Sequence, residues 1–112
     1  MFTNLLYWKI GKHLYQIRND YENPIAYLSN YYSYYFGSNF FNRENIRYMK
    51  RFYLYFPIYF SKYESLSWNH FKILLKIRNK RKRNFYFYYL LFTNSSVEDL
   101  ISLINSKTYE RI

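Results

Sequence analysis

The sequence contains no cysteine, which excludes disulfides and thiolate metal sites and is compatible with a reducing interior. Its only glycines are Gly11 and Gly37, so no glycine-rich loop exists to cradle a phosphate. His13 and His70 are the only histidines, and no clustered carboxylate stands near either to complete a metal site. No serine lies in a nucleophile-elbow context. The expectation is a chain without catalytic residues, metal or cofactor. Acids are also few, seven against 17 lysines and arginines, which leaves a net charge of +10 over 112 residues. That surplus favours polyanionic partners such as DNA, RNA or an anionic membrane face. Long apolar runs are missing too. The uncharged stretch Asn23–Asn42 is rich in Asn, Ser and Tyr and is broken by Pro24 and Gly37, and Phe85–Phe92 is far too short to span a bilayer. The start, MFTNLLYWKIGKHL, lacks the positive n-region and small-residue cleavage site of a signal peptide. These features read as a soluble, cytoplasmic protein with no membrane partner.

What the chain has in abundance is aromatic rings: 27% of its residues, with 17 tyrosines and 11 phenylalanines. With half the residues hydrophobic, the composition is not that of a disordered chain. Base stacking on aromatic platforms is one reading of so many rings. The other is codon bias. Tyr, Phe, Asn, Lys and Ile have AT-rich codons, Ala26 is the single alanine, and an AT-biased genome produces this look without selection for binding. The length suits one domain, 1–112, with one core.

Apolar spacing predicts an all-α fold, a small bundle of about five or six short helices. Asn4 to about Ile17 carries Leu5, Trp8, Ile10 and Leu14 at helical intervals. Asn23-Pro24 offers a cap followed by proline at the first helical position, and Gly37 closes that helix. A helix follows from Asn42 to Phe56, a fourth from Leu66 to about Ile77 with Ser67 as its cap, and a fifth over roughly 80–92. Ser95 and Ser96 before Glu98 and Asp99 resemble a capping box for a last helix striped by Val97, Leu100, Ile101 and Ile104. Tyr53–Phe60 and Phe85–Phe92 also carry strand propensity, but neither alternates, so both are read as helix or loop.

The segment NRENIRYMKRFYLYF, 42–56, sorts its charges from its rings. At helical spacing Arg43, Arg47, Lys50 and Arg51 fall within about a 100° arc, with Ile46, Met49, Tyr53 and Phe56 roughly opposite. A helix docked by one face and showing cations on the other suits a nucleic-acid backbone; ordinary solvated charge is the alternative. Glu44 is the segment's only acid and suits the positive helix end. A second basic run comprises Lys76, Arg78, Lys80, Arg81, Lys82 and Arg83 with no acid among them. It reads as a supplementary phosphate-contacting patch or as a solvated turn. The candidate nucleic-acid-binding residues are thus Arg43, Arg47, Lys50, Arg51, Arg78, Lys80, Arg81 and Lys82. Trp8 and Trp68 read as core anchors and His70 as a packing and hydrogen-bonding residue.

Six short motifs, in order, resemble the YhcG N-terminal domain family. Tyr7-Trp8-Lys9-Ile10-Gly11 is similar to its opening YWxIG, and Tyr21, Ile25, Leu28-Ser29 and Phe36-Gly37 fit its second helix. Asn45-Ile46, Met49, Phe52-Tyr53 and Phe56-Pro57 are similar to its NLxxMxxFYxxFP, and Leu66-Ser67-Trp68, His70 and Leu74-Leu75 to its LSWxHxxxLL. Arg83 and Phe85-Tyr86 fit RxFY, and Ser96-Val97, Leu100, Ile104-Asn105-Ser106 and Tyr109-Glu110-Arg111 fit SVxxLxxxINSxxYER.

The resemblance implies a helical domain, similar to helix-turn-helix DNA-binding modules, that serves a protein carrying a PD-(D/E)XK nuclease domain. On that analogy the helix ending at Gly37 and the Arg43–Phe56 helix form the helix-turn-helix pair, the second being the recognition element. Three departures stand out: Ser95 where the family has tryptophan, apolar Ile101 and Leu103 where it is polar, and Asn79-Lys80-Arg81-Lys82 in its Asp/Pro turn. The sequence ends at Ile112, where the family hands over to the nuclease half. No acid is followed two residues later by lysine, as that half's metal-dependent signature requires. The expected function is a non-catalytic nucleic-acid-binding module, for DNA in the first instance, with a separately encoded nuclease domain as a candidate partner. The alternatives are a protein-interaction or self-association module and a truncated relic.

Overall fold

The computed structural model describes residues 2–112. They form six α-helices and three short 3-10 turns, with no strand among the described residues, so the fold is all-α. The chain divides into two compact units, one ending at Phe60 and one running from Ser61 to Ile112.

In the first unit, helix α1 (Asn4–Gln16) begins where the Thr3 side chain accepts from the Leu6 amide at 3.2 Å. It buries Tyr7, Ile10, Gly11 and Leu14, the i, i+3, i+4, i+7 face of a helix against a core. Helix α2 (Pro24–Phe36) starts as expected: the Asn23 side chain accepts from the Ala26 amide at 3.1 Å, and Pro24 opens the first turn. Gly37 ends it with φ of 61°, left-handed backbone that glycine adopts at no steric cost. A 3-10 turn (Asn39–Phe41) then drives Phe41 fully into the core. Ser29 Oγ donates to the Phe41 carbonyl at 2.8 Å, and Asn45 Nδ2 donates to that of Phe40 at 2.8 Å, so these two carbonyls are satisfied by α2 and by the helix that follows.

Helix α3 (Arg43–Tyr55) is capped by Asn42, whose side chain accepts from the Asn45 amide at 2.9 Å. It packs chiefly on α1. Ile46, Met49 and Phe52 are completely buried, each stabilising the fold by about 1.5–3 kcal/mol over exposure. Phe52 takes the central place and Tyr53 is half-buried, a small rotation from the expected stripe. Phe56 closes the helix, and Trp8 Nε1 donates to its carbonyl at 2.8 Å.

The second unit opens with a 3-10 turn (Ser61–Ser65) that buries Tyr63 edge-on against Phe71 and Phe87, with centroids 5.7 and 5.5 Å away. Helix α4 spans Trp68–Leu74, shorter than the expected 66–77. Ser67 has the extended backbone of a cap, so Leu66 lies outside the helix, and residues 75–79 form the connection to the next helix. A full capping box forms here: Ser67 Oγ accepts from the His70 amide, and His70 Nδ1 accepts from the Ser67 amide. Helix α5 (Lys80–Thr93), capped by Asn79, buries Arg83, Tyr86, Phe87 and Leu90 at helical intervals. Period therefore overrides the strand propensity of its ring-rich centre. Asn94 turns left-handed at φ of 57°, and Ser96 caps helix α6 (Val97–Asn105) by accepting from the Asp99 amide. A final 3-10 turn (Tyr109–Arg111) docks on α5, where Tyr86 Oη accepts from the Tyr109 amide at 3.2 Å.

Candidate nucleic-acid interface

Because Ile46, Met49 and Phe52 turn inward, helical geometry carries the α3 cations outward. Arg43, Arg47 and Arg51 are exposed, and Lys50 is half-buried along its stem. None of the four makes an ion pair with an acid among the described residues. Glu44, Arg47, Tyr48 and Arg51 line a surface hollow of about 150 Å³. The Arg51 guanidinium lies 5.6 Å from the Tyr48 ring centroid, a loose cation–π contact that leaves its donors facing solvent. These are basic side chains spaced along one helix whose opposite face is buried in the core.

The second basic run is dispersed by the fold. Arg78, Lys80 and Arg81 are exposed. Lys82 Nζ lies 3.4 Å from the Glu110 carboxylate, a partly exposed pair that neutralises part of its charge. Arg83, counted with this run in the sequence, is instead buried, and its Nη1 donates to the carbonyls of Ile77 (2.7 Å) and Arg78 (3.3 Å). It satisfies the turn that ends α4 and is not available to a phosphate. The spacing of Arg83 with Tyr86, Phe87 and Leu90 is the sequence signal that puts it on the inward face. Lys80 and Arg81 occupy the first turn of α5, the positive end of its dipole, an unfavourable place for cations unless an anion joins them. This patch belongs to the second unit and the α3 face to the first.

The histidines are built into the frame. His13 Nδ1 shares a 2.7 Å hydrogen bond with the Tyr32 hydroxyl. His70 Nε2 donates to the Ser95 carbonyl at 2.9 Å, its proton placed there because Nδ1 accepts from the Ser67 amide. Burial holds the Tyr32 and Tyr63 hydroxyls above their ordinary pKa of 10.0, with the neighbouring phenols Tyr31 and Tyr88 adding to it. Among the described residues no group of three or more His, Cys, Asp or Glu comes together to hold a metal, and no helix is long and apolar enough to cross a membrane.

Two hollows lie in the second unit. Ser95 borders one of about 390 Å³, lined also by Tyr89, Asp99, Ser102, Leu103 and Ser106. Ile101 is exposed, and with Ile73, Ile77 and Ile104 it lines an apolar hollow of about 400 Å³ between α4 and α6.

The motif residues are mostly framework. Trp8 bonds to the end of α3, Gly11 lets α1 approach α3, and His70 ties the start of α4 to the Ser95 carbonyl ahead of α6. No curated protein and no solved structure matches the chain. The family described as the DUF1016 N-terminal domain matches residues 2–111, through both units. The chain therefore belongs to the DUF1016 N-terminal domain family, which is the YhcG N-terminal family.

Proposed function

We propose that this chain is a non-catalytic nucleic-acid-binding module that engages the DNA backbone through Arg43, Arg47, Lys50 and Arg51 on α3. The observation that carries this reading is the absence of any acid paired with those four side chains, on a face that a buried core orients outward. Unpaired cations on a rigid helix bind phosphate without first giving up an internal partner. In this reading α2, the 37–42 turn and α3 act as a helix-turn-helix-like pair, with α3 toward the duplex. Arg78, Lys80 and Arg81 supply further phosphate contacts. Domains of this family are usually joined to a nuclease domain, and a DNA-holding module suits such a partner. The test is fluorescence anisotropy of a labelled random duplex at two salt concentrations. Micromolar binding that collapses with added salt supports the reading; no binding at low salt by folded protein refutes it.

A second reading rests on the second unit. The hollow lined by Ile73, Ile77, Ile101 and Ile104 is apolar surface of the kind that protein partners cover. A salt-insensitive complex with a nuclease subunit, or a stable dimer, would favour a protein-interaction role.

A further inference from the structure

Helix α2 carries a ladder of rings on its solvent side. Tyr27, Tyr31 and Tyr35 recur every four residues, one ring per ~6 Å of helical rise. Tyr31 and Tyr35 lie with planes only 5° apart at a centroid distance of 6.2 Å, and Tyr27 and Tyr31 are 30° apart at 6.3 Å. Tyr21, just before the helix, stacks on Tyr27 at 4.0 Å and 14° and extends the row. The Tyr27 side chain beside it raises the Tyr21 hydroxyl above its ordinary pKa of 10.0. The four rings are 42%, 38%, 46% and 69% exposed in chain order, while Leu28 and Ser29 form the buried side of the helix.

Codon bias accounts for the number of tyrosines but not for their alignment, which needs the four-residue period and a common orientation. Planar π faces in a row suit a ligand that itself offers a row of planar faces. The charge of the unit narrows the choice. Three of the four rings lie in the uncharged stretch 23–42, Asp20 and Glu22 flank only Tyr21, and the first unit as a whole carries seven lysines and arginines against three acids. An anionic strand is drawn to a unit with that surplus. A duplex hides its base faces within its own stack, whereas an unpaired strand exposes them and stacks them on aromatic side chains.

We infer that the tyrosine ladder of α2 is a stacking platform for the unpaired bases of single-stranded DNA. This rests on the reading that the first unit binds DNA through α3, and it adds an unpaired strand to the duplex that α3 contacts. The cations of α3 retain the backbone, and the rings hold the bases.

The experiment uses the full chain, a labelled oligothymidylate of about 16 nucleotides, and a random duplex of the same length. In Tyr27→Ala/Tyr31→Ala/Tyr35→Ala, single-strand affinity falls by roughly tenfold or more while duplex affinity stays within about twofold. The triple Tyr→Phe variant keeps its π faces and retains single-strand affinity, which separates stacking from loss of fold. Arg47→Glu/Lys50→Glu weakens both ligands, and its failure to weaken the duplex would sink the α3 reading alone. Unchanged oligothymidylate binding by the alanine variant, with duplex binding still sensitive to the α3 charges, would overturn the ladder alone. A dimer that the alanine variant dissolves, without change in single-strand affinity, would also overturn it and assign the rings to a second copy.

Discussion

Gly11 of α1 lies directly against the backbone of Met49 in α3. A Cβ built at Gly11 would stand 2.6 Å from the Met49 carbonyl carbon, closer still to its oxygen, and 3.2 Å from Tyr53 Cβ. The obstacle is helix backbone, not the end of a flexible side chain, so α1 would have to move away from α3. Gly11→Ala gains about 1 kcal/mol of helix propensity. It loses more by prising apart the face that buries Ile10, Leu14, Ile46 and Met49. The expected net loss is about 3 kcal/mol, measured by urea unfolding of the first unit. Wild-type stability in this variant would show that the close approach is not obligatory.

Binding through α3 has a salt signature. Four phosphates neutralised by Arg43, Arg47, Lys50 and Arg51 give a slope of log affinity against log salt of about −3.6. Reversing Arg47 and Lys50 to glutamate is expected to abolish duplex binding while the helical spectrum is retained, since Arg47 is exposed and Lys50 half-buried. Full affinity in the reversed protein would refute the recognition-helix assignment.

Arg81 and Arg83 separate charge from architecture. Arg83→Ala leaves the Ile77 and Arg78 carbonyls without their guanidinium and opens a gap in the second unit's core, so a loss of about 2–3 kcal/mol is expected. Arg81→Ala is expected to change stability by less than about 0.5 kcal/mol while lowering DNA affinity. Thermal unfolding and anisotropy measured on both variants check the division, and a stable Arg83→Ala protein would contradict it.

His70 joins two elements at once. Its replacement by alanine removes the return half of the α4 capping box and the bond to the Ser95 carbonyl, with an expected cost of about 1–3 kcal/mol. Hydrogen exchange at the starts of α4 and α6 is the direct readout. Protection lost at only one of the two would show that the Ser95 bond does not couple them.

Alkaline pH acts through buried tyrosine. The folded protein holds the Tyr32 and Tyr63 protons more tightly than the unfolded chain, first because of burial and then because of nearby phenols. The unfolded chain therefore loses its protons first as pH rises through 10, and its free energy falls relative to that of the fold. The stabilisation is fully present below pH 10 and disappears as pH climbs toward the folded values. Tyr63→Phe is expected to flatten that alkaline loss in the second unit, as seen in denaturant midpoints taken across the range. An equal loss in wild type and variant would exclude Tyr63 as a cause.

The helices were largely legible because their signals are local. Asn23, Asn42, Ser67 and Ser96 each accept from the amide three residues on, and such caps depend on little beyond neighbouring residues. Gly37 stops α2 for the same kind of reason. The α3 cations were legible too, since period alone separates them from Ile46 and Met49. The 3-10 turns were not, because they form where a ring such as Phe41 or Tyr63 must reach a core that the local chain does not specify.

Local signals along the chain therefore specify the all-α class, the helix starts and stops apart from the ends of α4, and the sorting of charge on α3. Tertiary structure alone decided which basic residues remain outside. Arg83 sits in a run of like charges yet turns inward, because two carbonyls at the end of α4 need a donor and the core of the second unit has room for its stem. It also decided why Gly11 must be glycine, which depends on a backbone 38 positions away along the chain. Caps and periods act within a turn or two of helix. Burial and close approach depend on residues that meet only once the chain has folded.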